Sequence, residues 1–223
     1  MIKYIFFIVS GFGLIACSSL EITASSDNQV VEADDTPNRI DSFIQPYQDE
    51  LEDEMNVVIA FAPQDFVKGR PSGSLNNWSA DAVLKANRPE EVQDPVMSLL
   101  NIGGLRNTIN EGQVTIGDIF KVMPFDNEVV WVEMSGSSLD EIKTYLENSG
   151  GEPIGGNFEM TVDDDDSFWI VTSDYLMNGG DKMNFFENRL GEHYAGQLLR
   201  DVFIEEAQRQ DTLIWNDQNR IMP

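Results

Sequence analysis

A mixed α/β fold (α+β), with helices and sheets in layers, is predicted by three observations. Stretches with helical and with strand-like patterning alternate along the chain, no internal repeat organises them, and 223 residues suit one domain with a short leader. The leader is "MIKYIFFIVSGFGLIAC", residues 1–17: Lys3 precedes an apolar run from Tyr4 to Ala16 that is short for a membrane span. Residues 18–38, "SSLEITASSDNQVVEADDTPN", are polar and without period, and read as a flexible tether. The folded domain is expected over 39–223.

Within it, Ile40, Phe43, Ile44, Tyr47, Leu51 and Met55 fall at helical spacing, which predicts an amphipathic helix with its apolar face on a core and Asp41 near its positive end. "VVIAFAP" reads as a buried strand closed by Pro63. "LNNWSADAVLKAN" follows as a helix with Leu75, Trp78 and Ala82 on one face. "PVMSLL" is a strand, and "VTIGDIFKVMPF" a helical or mixed segment. "NEVVWVEMSG" is a strand with Val130, Val132 and Met134 on one side. "SSLDEIKTYLENSGG" is a helix that Ser138 caps, with Glu141 completing a capping box and Gly150 ending it. "FWIVTSDYL" is a strand, "HYAGQLLRDVFIEEAQRQ" a last helix with Leu198, Leu199, Val202 and Phe203 inward, and "TLIW" a closing strand.

Charge restricts the function. Asp and Glu number 39 against 14 Lys and Arg, for a formal charge of -25. Such a field repels polyanions, so a nucleic acid polymer is excluded as partner, and any anionic ligand has to be small and held by local donors. Cys17 is the one cysteine, so no internal disulfide can form. The single histidine, His193, is read as a residue at the entry to the last helix rather than a catalytic group. One histidine supports neither a dinuclear metal site, a Cys/His zinc cluster, nor a Ser-His-Asp set. The run Asp163–Asp166 lacks the spacing and glycine of a calcium loop, and reads as a solvated turn between strands.

What remains is a set of loops at strand ends. In "NIGGLR", Asn101 ends an apolar run, Gly103 and Gly104 let backbone N–H groups approach a ligand, and Arg106 offers a planar fork for phosphate or carboxylate. By itself Gly-Gly after a strand is also an ordinary turn. "MPFDN" sets Phe125, Asp126 and Asn127 just before a strand. "SDYLMNGGDKMNFF" puts Tyr175 six residues ahead of Asp181. A ring beside a Gly- or Asn-rich turn can stand exposed, and two such rings could clamp a planar heterocycle, while Asp181 accepts from ribose hydroxyls. Core packing of either ring is the competing reading.

Two resemblances follow from these residues. Leu14-Ile15-Ala16-Cys17 resembles the bacterial lipobox, which implies cleavage before Cys17, lipidation of its thiol, and anchoring to a membrane of the bacterial cell envelope, facing periplasm or exterior. A plain signal peptide with an incidental cysteine is the alternative. From about Ile40 to Ile221, the order Asn-x-Gly-Gly-x-Arg, Gly-Asp-x-Phe, Pro-Phe-x-Asn and Tyr-Leu-x-Asn-Gly-Gly-Asp closely resembles the C-terminal, substrate-binding domain of the 5′-nucleotidase family. The resemblance implies that Asn101 and Arg106 contact phosphate and ribose, that Phe125 and Tyr175 sandwich the base, that Asn127 touches the base edge, and that Asp181 binds the ribose hydroxyls. A further family arginine precedes the "SLNNWSADA" helix. Gly69 occupies that register here, and Arg70 is the nearest candidate.

That family's two-metal hydrolytic machinery lies in a separate N-terminal metallophosphatase domain. The expectation is therefore a domain that binds a nucleotide or nucleoside without cleaving it, needs no cofactor of its own, and works with a separate metallophosphatase chain that carries the divalent metals. A capture or sensing lipoprotein without such a partner is the second reading, and a retained fold with a decayed site the third.

Overall fold

The computed structural model describes residues 39–220. The chain divides into a unit of residues 1–42 and a unit of residues 43–223. Of the first, only the opening of one helix is described, and the second carries the fold. The expected leader, Cys17 and the tether lie outside the described residues.

Helix α1 (Arg39–Met55) forms where the periodicity predicts it. Its apolar face does not reach a core, however: Phe43, Tyr47 and Leu51 are 69%, 64% and 55% exposed. Spacing reports that a face is apolar and is silent on what covers it. Phe43 and Tyr47 shield each other in part, with ring centroids 5.9 Å apart. Among the described residues, no helix is long and apolar enough to cross a membrane.

Two sheets follow. Strands β1 (Val58–Ala62) and β3 (Gly112–Thr115) pair antiparallel as a small sheet. The larger sheet is built from β2 (Val96–Leu99), β4 (Glu128–Ser135), β5 (Ile154–Gly156), β6 (Ser167–Ser173) and β7 (Gly191–Leu198), in the order β5-β2-β6-β4-β7. Its centre is apolar on both faces. Val129 and Trp131 of β4 and Trp169 and Val171 of β6 join one core, with β1, β3 and the helices α2 (Ser74–Val83), α3 (Ile116–Val122) and α6 (Leu199–Gln210). Val130, Val132 and Met134, with Phe168 and Ile170, join the other, under α4 (Leu139–Ser149). Strict alternation of side chains across a pleat puts successive valines into different cores. The fold is layered and mixed, as the interleaved patterning predicts.

Three local expectations are corrected, and a fourth is made specific. Residues 191–198 are not the first half of the last helix but the edge strand β7, with His193 opposite Trp131 and its ring 5.6 Å from that of Trp169. Pairing with β4 overrides a helical pattern that begins only at Leu199. "TLIW" forms no strand, since Thr212 makes only an isolated bridge with Phe61. "VTIGDIFKVMPF" resolves into the end of β3 and the helix α3, which Thr115 caps through a reciprocal box with Asp118. Ser138 makes no such box with Glu141: it already has helical dihedrals, inside a 3₁₀ turn that leads into α4. Gly150 ends α4 in the left-handed region as expected. Asp163–Asp166 is an exposed turn before β6.

The chain's end is strapped down. Asn77 Nδ2 donates to the carbonyls of Asn216 and Gln218. Arg220, nearly buried, forks onto both oxygens of Asp81 at 2.7 Å and donates to the Ile154 carbonyl at 3.1 Å. Arg220→Ala removes four bonds made by a charged donor and should lower unfolding free energy by about 2 kcal/mol in urea titration. An unchanged midpoint would show that the strap is decorative.

Candidate functional site

Sheet topology determines which loops can meet. β6 runs parallel to β2 and antiparallel to β4. The C-terminal ends of β2 and β6 and the N-terminal end of β4 therefore share one edge of the sheet. Three segments emerge there: residues 101–106 after β2, residues 124–127 before β4, and residues 174–182 after β6. In open α/β sheets the crevice beyond the carboxyl ends of the strands is the usual place for a ligand.

The three segments enclose a cavity of about 300 Å³ lined by Asn101, Gly103, Gly104, Arg106, Phe125, Asn127, Tyr175 and Asp181. That volume is at the lower end for a small-molecule site. Both rings stand out of the core, Phe125 at 39% and Tyr175 at 48% exposure. Tyr175 lies in α5 (Asp174–Met177), a single turn capped by the Ser173 hydroxyl, which accepts from the Leu176 amide. Phe125 is carried by the segment between α3 and β4, and the Arg106 guanidinium stands 5.6 Å over its ring.

Asp181 organises the polar side. Its Oδ2 accepts from Asn101 Nδ2 at 2.6 Å and its Oδ1 from the Tyr175 hydroxyl at 3.1 Å. A carboxylate offers about four acceptor positions, so roughly one lone pair per oxygen stays free for two hydroxyl donors. Asp181 has φ 51, a left-handed conformation that costs a non-glycine residue on the order of 1 kcal/mol and that recurs at binding sites. Its carbonyl accepts from the Tyr145 hydroxyl at 3.0 Å.

Two glycines are required by close approach. A Cβ on Gly104 would stand 2.7 Å from Asn101 Oδ1, and one on Gly180 would stand 2.5 Å from the Tyr175 ring. The sequence suggests another reason for Gly104, approach of its backbone to a ligand; both contacts need the folded loop. Arg106 supplies the cation of the cavity, and its Nη1 donates to the Gly103 carbonyl at 3.1 Å. Lys68 braces the same loop from behind, its Nζ donating to the Leu105 carbonyl at 2.7 Å.

Arg70 is not brought into this cavity. Its guanidinium donates to the carbonyls of Ser149 and Gly151 and pairs with Glu152 at 2.8 Å, so it closes the end of α4. It lines a neighbouring open cleft of about 600 Å³ together with Tyr145, Glu152, Asp181 and Lys182. Glu152, nearly buried, also accepts from the Ile102 amide at 2.7 Å. Arg70 thus reaches the 101–106 loop only through Glu152. Neither Tyr145 nor Glu152 stood out in the sequence, because no local motif marks a side chain whose partner is 36 or 50 residues away.

Among the described residues, no group of three His, Cys, Asp or Glu side chains is disposed to hold a metal ion. The cavity offers one cation, one carboxylate, two amides and two rings: equipment for holding an anionic, hydroxylated, planar ligand.

Comparisons with known proteins agree with the fold. Residues 58–160 match the family described as 5′-nucleotidase, C-terminal domain. Tyr175 and Asp181 lie beyond that segment. The trifunctional nucleotide phosphoesterase YfkN of Bacillus subtilis is 22% identical over 82% of this chain and 14% of its own length. The 5′-nucleotidase of Vibrio vulnificus is 26% identical over 54% of this chain and 22% of its own. Among solved structures, the 5′-nucleotidase precursor of Thermus thermophilus superposes with a TM-score of 0.66 at 21% identity, over 82% of this chain and 43% of that one. The NAD nucleotidase of Haemophilus influenzae follows at 0.60 and 16%, over 81% and 40%. The chain spans less than half the length of these relatives.

Tyr145 provides a solution test of the site's polar wall. Burial foremost, then the charges of Glu152 and Asp181, push its phenol up to about 12. A folded-state value above the unfolded one, about 10, means that the stabilisation is complete below about pH 10 and is lost as pH rises through about 12. Phenolate absorbance of the folded protein should show a late step that Tyr145→Phe removes. A late step that persists in the variant contradicts this environment.

Residues 58–160 thus carry the sequence pattern of the 5′-nucleotidase C-terminal domain family, and over most of its described length the chain shares the fold of solved 5′-nucleotidases.

Proposed function

We propose that this chain is the nucleotide-binding part of a 5′-nucleotidase-type phosphohydrolase, which holds a nucleotide or nucleoside for a separate metallophosphatase chain. The observation that carries the reading is the convergence of Phe125, Tyr175, Asp181, Asn101 and Arg106 on one cavity from three loops far apart in sequence. The base stacks on the two rings, Asn127 meets its edge, Asp181 and Asn101 take the ribose hydroxyls, and Arg106 with the amide of Gly103 faces the phosphate. Arg70 acts on that end only indirectly, through Glu152. The divalent metals and the water nucleophile belong to the partner, and this chain contributes orientation. Cys17, lipidated, tethers the domain to the bacterial envelope, on the periplasmic or outer side. A field of -25 favours a compact ligand over a polymer.

Isothermal titration with adenosine and AMP tests the binding. Phe125→Ala and Tyr175→Ala should each weaken binding about 5- to 150-fold, the range for the loss of one stacked ring. 2′-Deoxyadenosine, which lacks one donor to Asp181, should bind about tenfold more weakly or worse. No binding of any nucleoside by the wild-type chain overturns the proposal. Phosphate release from AMP, assayed with envelope metallophosphatases with and without this chain, tests the partnership. Rates unchanged by the chain across all of them would leave a capture lipoprotein, and release by the chain alone would contradict the division of labour.

A further inference from the structure

We propose that Asp174 is a positioning residue that sets the separation of the two aromatic arms, by holding the backbone of both on one carboxylate oxygen. The inference rests on the nucleoside-binding reading for its consequence, though not for its geometry. Asp174 Oδ1 accepts from the Tyr175 amide at 2.8 Å and from the Glu128 amide at 3.0 Å. Tyr175 carries one ring, and Glu128 follows Asn127 and stands three residues after Phe125, which carries the other.

The placement explains why a side chain is needed there. The β4–β6 ladder ends at the pair Val129 and Ser173. Beyond it the strands part: the chain turns into α5 on one side and into the Phe125 segment on the other. The Tyr175 amide, in the first turn of a helix, has no intrahelical acceptor. The Glu128 amide is likewise served by a side chain at this point. A charged oxygen accepting both makes two short, charge-assisted bonds across the point of divergence. It thereby extends the register of the ladder up to the rings.

The far side of the Phe125 arm is fixed independently. The Leu199 amide donates to the Asn127 carbonyl at 2.8 Å. Arg200, nearly buried and 4.1 Å over the Phe120 ring, donates from Nη2 to Asp126 Oδ1 at 2.8 Å. One arm is therefore pinned to α6, and Asp174 references the other arm to it. Asp174 is absent from the lining of the cavity, so it acts on a ligand through the arms and not by touching it.

Three variants separate an acceptor that positions from a residue that merely stabilises. Asp174→Asn retains an oxygen for both amides, Asp174→Ser keeps a shorter acceptor, and Asp174→Leu keeps bulk without an acceptor. Each is followed by amide hydrogen exchange at Glu128 and Tyr175 and by adenosine titration, below its own melting temperature. The proposal expects Asp174→Leu to expose both amides and weaken adenosine by about tenfold or more, with Asp174→Asn restoring protection and affinity to within about threefold. Should Asp174→Leu not fold, Asp174→Ser, whose oxygen sits one bond nearer the backbone and is expected not to span both amides, carries the contrast against Asp174→Asn. Wild-type affinity in a folded variant whose two amides have lost protection overturns the proposal, as does Asp174→Asn failing to restore either. If the wild-type chain binds no adenosine, the nucleoside reading fails, and the exchange rates alone still decide whether Asp174 ties the arms.

Discussion

The antiparallel ladder between β4 and β6 is the constraint on which the site depends. Seven residue pairs, from Val129 with Ser173 to Ser135 with Ser167, fix two strands that are far apart in sequence. They bring the residues before one strand beside the residues after the other. The Phe125 segment and the Tyr175 turn are thus neighbours by register, before any side chain in the cavity is considered. The parallel pairing of β2 with β6 delivers the 101–106 loop to the same edge. Burial of β4 and β6 on both faces makes a slip costly, because moving one residue along would exchange the two cores.

On that frame the polar groups solve an electrostatic problem. On the proposed function, a chain with 39 acidic and 14 basic residues would have to recognise an anionic ligand without surrounding itself with cations. The cavity holds one guanidinium, on a loop with two glycines, of which Gly104 donates its amide to the Asn101 carbonyl. Three other cations nearby are turned to structure: Arg70 on the end of α4, Lys68 on the Leu105 carbonyl, Arg200 on Asp126. Small-ligand selectivity then comes from shape and short-range donors, since the long-range field is unfavourable to any larger anion.

How much of this was legible in the sequence depended on the range of the interaction that decides each feature. The strands β2, β4 and β6 and the helix α4 were readable because burial imprints a period on consecutive residues. The cavity's eight residues were readable as well, because each sits beside a glycine, an asparagine or a strand end in "NIGGLR", "MPFDN" and "SDYLMNGGD". Features decided across the chain were not. β7 took a helical reading because its pairing with Trp131 has no local trace. Arg70 was expected at the phosphate end because it lies one residue from the register of the family arginine, whereas Glu152, eighty-two residues on, draws it away. The face of α1 was rightly seen as apolar and wrongly assigned to a core. Asp174 was in plain view next to Tyr175, but its role depends on Glu128.

A crystal structure of the chain grown with AMP tests the central claim most directly. The account predicts the base stacked on Phe125 and Tyr175, with the ribose hydroxyls within hydrogen-bonding distance of Asp181. A nucleotide bound elsewhere, or a base lying outside the two rings with Asp181 still occupied only by Asn101 and Tyr175, would contradict it.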